Sequence, residues 1–97
     1  MSDAVEVRRE MGCTRAEFIG WLPGATRQAA FQIDGDLVTV MTHGGRVQIL
    51  LEEKPPRRIG LLALPVLGVT FSFHGLDKLT RDDFFACFDL YTRRGGG

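Results

Sequence analysis

The chain has 97 residues, of which 44% are hydrophobic and 25% charged, a composition typical of one small globular domain and unlike that of disordered or fibrous proteins. Its twelve basic and twelve acidic residues cancel, so the net charge favours neither nucleic acid nor an anionic membrane as a partner. Two cysteines far apart in sequence predict free thiols, and the acidic N-terminus lacks the pattern of a secretory signal. We therefore expect a single cytoplasmic domain over residues 1–97.

The N-terminal part of the chain predicts an arm and then a short helix. Residues 1–12 carry scattered charges and are expected to form a flexible arm. A helix is expected over about 15–22, because Thr14 is a good N-cap and Glu17 lies where a capping box requires an acidic side chain. Pro23 should end this helix.

Turn signals cut the middle of the chain into four or five extended segments. These signals are Asp34-Gly35, Gly44-Gly45, Pro55-Pro56 and the region of Pro65. If the first two dipeptides are two-residue loops, Phe31 pairs with Val38 and Val40 pairs with Ile49. Both loops then place the same apolar side chains on one face of a sheet, namely Ala29, Phe31, Ile33, Val38, Val40, Val47, Ile49 and Leu51.

The C-terminal part predicts one more strand and a second helix. Apolar residues alternate over about 66–74, which is typical of a strand with one buried face. A helix is expected from about residue 81 to 93, with Thr80 as its cap. Its apolar stripe comprises Phe84, Phe85, Cys87, Phe88 and Tyr91, and its water-facing acids are Asp82, Asp83 and Asp89.

Together these elements predict an α+β fold. A single antiparallel meander of four or five strands is flanked in sequence by a short N-terminal helix and a C-terminal helix, both on one face. The opposite face should then form an open surface made of Thr39, Met41, Gln48, Leu50, Thr70 and Ser72. The register of residues 57–64 stays open, because this segment has apolar residues on both faces. These extra apolar side chains favour a partner.

The chain ends in Arg93-Arg94-Gly95-Gly96-Gly97, and a terminal Gly-Gly resembles the ends of ubiquitin-like proteins and the related bacterial sulfur carriers. The resemblance implies a carrier whose terminal carboxylate is adenylated, with Gly96 and Gly97 as the tail site. It covers only the last few residues. In those families the tail leaves a strand, whereas here it follows a predicted helix, so a flexible end over 95–97 after a helix cap is the alternative.

No other motif predicts chemistry. Cys13, Cys87, His43 and His74 are scattered singly, whereas zinc ligands usually come in close pairs, so we expect no metal site and no cofactor. No catalytic triad order, phosphate-binding glycine loop or metalloprotease motif is present, and we expect no catalytic residues and no enzyme activity. The strand aromatics fall on the buried face, so nucleic acid is not expected as a partner, and neither is a membrane.

The sequence therefore favours a non-catalytic accessory or protein-interaction module. Its partner would be another protein or a second copy of the chain, and a homodimer would form through the open sheet face. One alternative is a carrier that uses the terminal glycines. A further alternative is a small ligand-binding domain with an Arg-lined pocket.

Overall fold

The computed structural model describes residues 5–94, which form five antiparallel strands and two helices. In chain order these are β1 Val5–Met11, α1 Arg15–Ala25, β2 Phe31–Asp34, β3 Leu37–Thr42, β4 Gly45–Ile59, β5 Leu62–His74 and α2 Lys78–Arg94. The strands form one sheet in the order β1-β5-β4-β3-β2. The predicted α+β fold, with one antiparallel sheet and two helices, is confirmed.

Strand β1 corrects the expectation of an N-terminal arm. Residues 5–11 pair along their whole length with β5 and form one edge of the sheet. Val7 and Met11 pack against the core, while the side chains that alternate with them are exposed. Arg9 takes an inward position between them and interrupts the apolar alternation by which a strand is recognised. Residues 1–4 of the expected arm lie outside the described part of the chain.

Helix α1 begins as its sequence predicts. The Thr14 hydroxyl accepts a hydrogen bond from the Glu17 amide at 3.1 Å, and Glu17 Oε1 accepts one from the Thr14 amide at 2.8 Å. The helix ends later than expected and includes Pro23 in its last turn. Pro23 has no amide hydrogen for a helical bond of its own, but the helical bond from the Thr26 amide to the Leu22 carbonyl, at 3.0 Å, is made after it.

Helix α2 begins before its predicted cap. Asp77 precedes the first residue of the helix, and its Oδ1 accepts a hydrogen bond from the Thr80 amide at 2.8 Å. Hydrogen bonds from Thr80 hold the pKa of Asp77 below its ordinary value. The prediction of Thr80 as the cap is therefore wrong, because the side chain of Asp77, three residues earlier, caps the helix.

Both hairpin loops have the expected length of two residues, but each is displaced by one residue from its expected position. Residues 35 and 36 join β2 to β3, and residues 43 and 44 join β3 to β4. Phe31 consequently pairs with Val40, and Val38 pairs with Ile49. The predicted register is wrong by two residues, but the predicted face is right because an even shift leaves every side chain on its own side. Ile33 is the exception in that list, since it lies in the short edge strand β2 and is exposed.

One face of the sheet and both helices share a single core. Phe18 of α1 and Phe88 of α2 are fully buried, with their ring centroids 5.8 Å apart. Phe71 of β5 meets Phe88 edge-on at 5.3 Å. The other fully buried sheet residues are Val38, Val40, Val47, Ile49, Leu51, Leu67, Val69 and Phe73. Because the helices cover only this face, the other face of the sheet is left open.

Candidate interaction surface

All six residues predicted for an interaction surface lie on the open face. Strand pairing and alternation place them in three neighbouring rows: Met41; then Thr39, Gln48 and Ser72; then Leu50 and Thr70. Met41 and Leu50 are about half exposed, at 52% and 50%, and the row between them is polar. The structure thus brings the six residues together, with two apolar side chains set among hydroxyls and an amide.

Strands β4 and β5 continue beyond the sheet as a two-stranded ribbon, and we call its residues 55–65 the arm. The last described partner of β3 on β4 is Leu50, and β1 ends opposite Leu67, so neither neighbour reaches the arm. At about 3.3 Å per residue, the 15 residues of β4 span roughly 50 Å. This length matches the longest dimension of the molecule, 47 Å against 27 Å and 23 Å.

The pairing within the arm corrects the predicted turns at Pro55-Pro56 and at Pro65. These prolines lie inside β4 and β5, and the chain turns at Gly60 and Leu61, so residues 57–64 belong to two strands and not to one. The register shifts between Lys54 and Arg57, where Pro55 and Pro56 lie in β4. Beyond this bulge Arg57 pairs with Leu64, Arg58 pairs with Ala63, and Ile59 pairs with Leu62. Gly60 and Leu61 close the loop, and Gly60 supplies the left-handed conformation, with φ of 59°, that this tight turn needs.

One side of the arm is apolar and exposed. Along β5, Leu62 and Leu64 alternate onto the same side as Thr70 and Ser72 of the open face, and Ile59 lies opposite Leu62. The exposed fractions are 55% for Ile59, 63% for Leu62, 42% for Leu64 and 106% for Leu61 at the tip. Each of these side chains keeps at least two fifths of its surface exposed within residues 5–94. The open face therefore extends into an apolar row that runs to the end of the arm.

A hollow of about 440 Å³ lies on the open face at the base of the arm. Leu50 and Thr70 line it, together with Gly68, which is buried although it points to the open side. The Lys54 side chain lies over Gly68. A Cβ atom at position 68 would be only 2.7 Å from Lys54 Cε. The charged residues that line the hollow are Arg8, Arg9, Glu10, Glu52 and Lys54. A glycine inside a strand pattern is the sequence signal that could have located this hollow.

The isolated histidines and cysteines do not come together as one site. Cys13 is buried ahead of α1, where burial raises the pKa of its thiol to about 11, and His74 ends β5. His43 and Cys87 do line one cleft. Among the described residues no group of three or more His, Cys, Asp or Glu side chains could hold a metal ion. Gly96 and Gly97 lie outside the described part of the chain, since α2 ends at Arg94.

Two arginines form long-range ion pairs with acids that were expected to face water. Arg9 pairs with Asp89, and both side chains are half-buried. Arg27 pairs with Asp83, with Nη1 and Oδ2 2.9 Å apart. The expectation for Asp89 is wrong, because β1 packs beside α2 and supplies an inward cation that the sequence pattern did not indicate.

Comparisons with protein-family models, with curated proteins and with solved structures give no significant match to this chain. Neither helix in the described range combines the length and the apolar composition needed to cross a bilayer.

Proposed function

We propose that the protein is a non-catalytic interaction module that binds a second copy of itself through the open face and the arm. The observation that carries this proposal is the apolar row of the arm, which ends in Leu61, the most exposed large apolar side chain of the described chain. Because the arm projects from the sheet, its apolar side chains add little to the core of the same molecule. Large exposed apolar patches on small domains commonly mark interfaces.

The hollow offers a complementary place for the tip. Along β5 the tip at Leu61 and the hollow at Gly68 are about 23 Å apart, at about 3.3 Å per residue. A twofold axis near the midpoint, at Leu64, sets the tip of each arm in the hollow of the other copy. Such a contact is isologous, since both copies use the same surface. It also brings the two Leu64 side chains together at the axis.

The buried area supports a reversible dimer. The exposed fractions of Ile59, Leu61, Leu62 and Leu64 amount to between two and three whole side chains in each copy. At about 1.5–3 kcal/mol for each buried side chain, two arms contribute about 8–16 kcal/mol. Association costs about 4–15 kcal/mol in lost translational and rotational freedom. The two ranges overlap, so we expect a dimer that dissociates on dilution.

Analytical ultracentrifugation over a range of concentrations tests the proposal. We expect Leu62→Asp to weaken the dimer, because it places a charge in the apolar row. The matched control is Ala63→Asp, which adds the same charge to the opposite side of the same strand and should leave the dimer intact. A wild-type chain that stays monomeric at about 1 mM, where about 4 kcal/mol of association would already be visible, contradicts the proposal.

A disulfide locates the twofold axis. In a Cys87→Ser background, Leu64→Cys should form an intermolecular disulfide under mild oxidation, since residues at the axis bring their own copies within bonding range. Ala63→Cys is the control and should stay monomeric on a non-reducing gel. A chain ending at Arg94 should dimerise as the full chain does, whereas a carrier that uses Gly96 and Gly97 would lose its activity with them.

A further inference from the structure

The twofold axis of the proposed dimer has a direction as well as a position. A rotation that lays one open face on the other and exchanges the tip with the hollow must reverse the strand direction. Such an axis runs across the strands, in the plane between the two copies. At Leu64 it also passes over Arg57, because Arg57 pairs with Leu64 across the arm. Directly opposite residues of an antiparallel pair share one side of the sheet, so Arg57 lies on the side of the apolar row.

The Arg57 guanidinium has no acidic partner of its own. The side chain is exposed, and it forms no ion pair within residues 5–94. Glu10 lines a small pocket together with Arg57 and Leu64, and it too is without an ion pair in that range. The axis therefore sets each Arg57 beside its own copy, at the same edge of the dimer. Two like charges so placed weaken an interface unless an anion lies between them.

We propose that the two Arg57 side chains bind one free tetrahedral dianion, of the phosphate or sulfate class, on the twofold axis. The inference rests on the proposed self-association, since each copy supplies one arginine. A guanidinium presents a planar fork of N–H donors that suits two oxygens of one oxyanion. A tetrahedral dianion has a twofold axis of its own, with two oxygens on either side. One such ion fills both forks and balances both positive charges.

Sedimentation of the full-length protein at several concentrations measures the Kd of the dimer, in chloride and with sulfate added at constant ionic strength. The dimer forms in both conditions and is tighter with sulfate. One anion serves each dimer, so Kd should fall in proportion to sulfate once sulfate exceeds its own dissociation constant. This is about a tenfold fall in Kd for each tenfold rise in sulfate.

Three variants separate this site from general effects of salt. Arg57→Gln removes the like charges from the axis, so it should dimerise more tightly than the wild type in chloride and should not respond to sulfate. Arg57→Lys keeps the charge without the planar fork and should respond less than the wild type. The matched control is Arg58→Gln, which removes the same charge from the opposite side of the arm, beside Ala63, and should respond as the wild type does.

Methyl phosphate distinguishes a free anion from a phosphate group carried by a larger molecule. At about pH 8 it is a dianion, because the second pKa of a phosphate monoester is about 6. One of its four oxygens is esterified, so it should strengthen the dimer less than sulfate does. A response to methyl phosphate as large as that to sulfate overturns the assignment of a free ion.

The outcomes separate this site from the dimer itself. A wild-type dimer whose Kd is unchanged by sulfate overturns the anion site and leaves self-association standing. An equal response to sulfate in Arg57→Gln does the same. If neither the wild type nor Arg57→Gln dimerises at about 1 mM with sulfate present, self-association is wrong and the site is wrong with it.

Discussion

The ion pair between Arg9 on β1 and Asp89 on α2 should fix the edge strand to the last helix. The Arg9 guanidinium donates to both oxygens of Asp89, with Nη2 and Oδ2 3.2 Å apart. It also lies 4.2 Å from the ring centroid of Phe85. The side chains of Arg9 and Asp89 keep 33% and 35% of their exposure, which places the pair between a surface and a buried ion pair.

The structure sets the expected magnitude for its loss. Exposed pairs contribute about 0.2–1 kcal/mol, and hydrogen bonds to charged groups about 1.5–3 kcal/mol. For a pair at this depth we expect Asp89→Ala to lower the free energy of unfolding by about 1–2 kcal/mol. Arg9→Met should lower it further, by about 0.5–1 kcal/mol more, since it also removes the contact between the guanidinium and the Phe85 ring.

Urea unfolding of the wild type, both single variants and the double variant measures the coupling directly. We expect a coupling of about 1 kcal/mol or more between Arg9 and Asp89. The same cycle on Arg27 and Asp83, whose side chains are mostly exposed, should give a smaller value that falls more steeply with salt. Equal coupling energies for the two pairs would refute the reasoning, because partial burial would then add nothing.

Three further changes should affect stability in defined directions. The Cys13 thiol ionises near pH 9 when unfolded and near pH 11 when folded, so the free energy of unfolding should fall by about 2–3 kcal/mol as the pH rises between these values. Cys13→Ala should remove that part of the pH dependence. Thr42→Val should raise the free energy of unfolding by about 1–2 kcal/mol, because it removes an unpaired buried hydroxyl. Gly24→Ala should destabilise the chain, since its Cβ would overlap the Tyr91 ring, yet stabilise a Tyr91→Ala background by about 0.5–1 kcal/mol. Thermal unfolding of matched variants checks the last two.

Local rules predicted those parts of the fold that depend on neighbours in sequence. The capping box of Thr14 and Glu17 involves residues three apart, and the structure contains both of its hydrogen bonds. The buried face of β3 and β4 follows from alternation alone. Alternation does not distinguish registers that differ by two residues, which is why the pairing of Phe31 with Val38 was wrong while the face was right.

Contacts between distant residues could not be predicted in this way. The Arg9–Asp89 pair joins positions 80 residues apart. The sequence around β1 shows scattered charged residues and does not indicate this partner. The six residues of the open face were predicted because they alternate with the core. The hollow was not predicted, since it depends on Gly68 lying under the Lys54 side chain and between two other strands. The arm was not predicted, because its prolines favour turns at 55–56 and 65, whereas the chain turns at Gly60 and Leu61.

The prolines of the arm distinguish between two ways in which it could associate. A free two-stranded ribbon exposes backbone amides and carbonyls on both edges, and other chains can add to such edges as extra strands. Pro55, Pro56 and Pro65 have no amide hydrogen to donate, and they lie where the arm leaves the sheet. Strand addition is therefore disfavoured along that part of both edges. The apolar row of Ile59, Leu62 and Leu64 remains available to a partner, so contact should occur through the face of the arm and not through its edges.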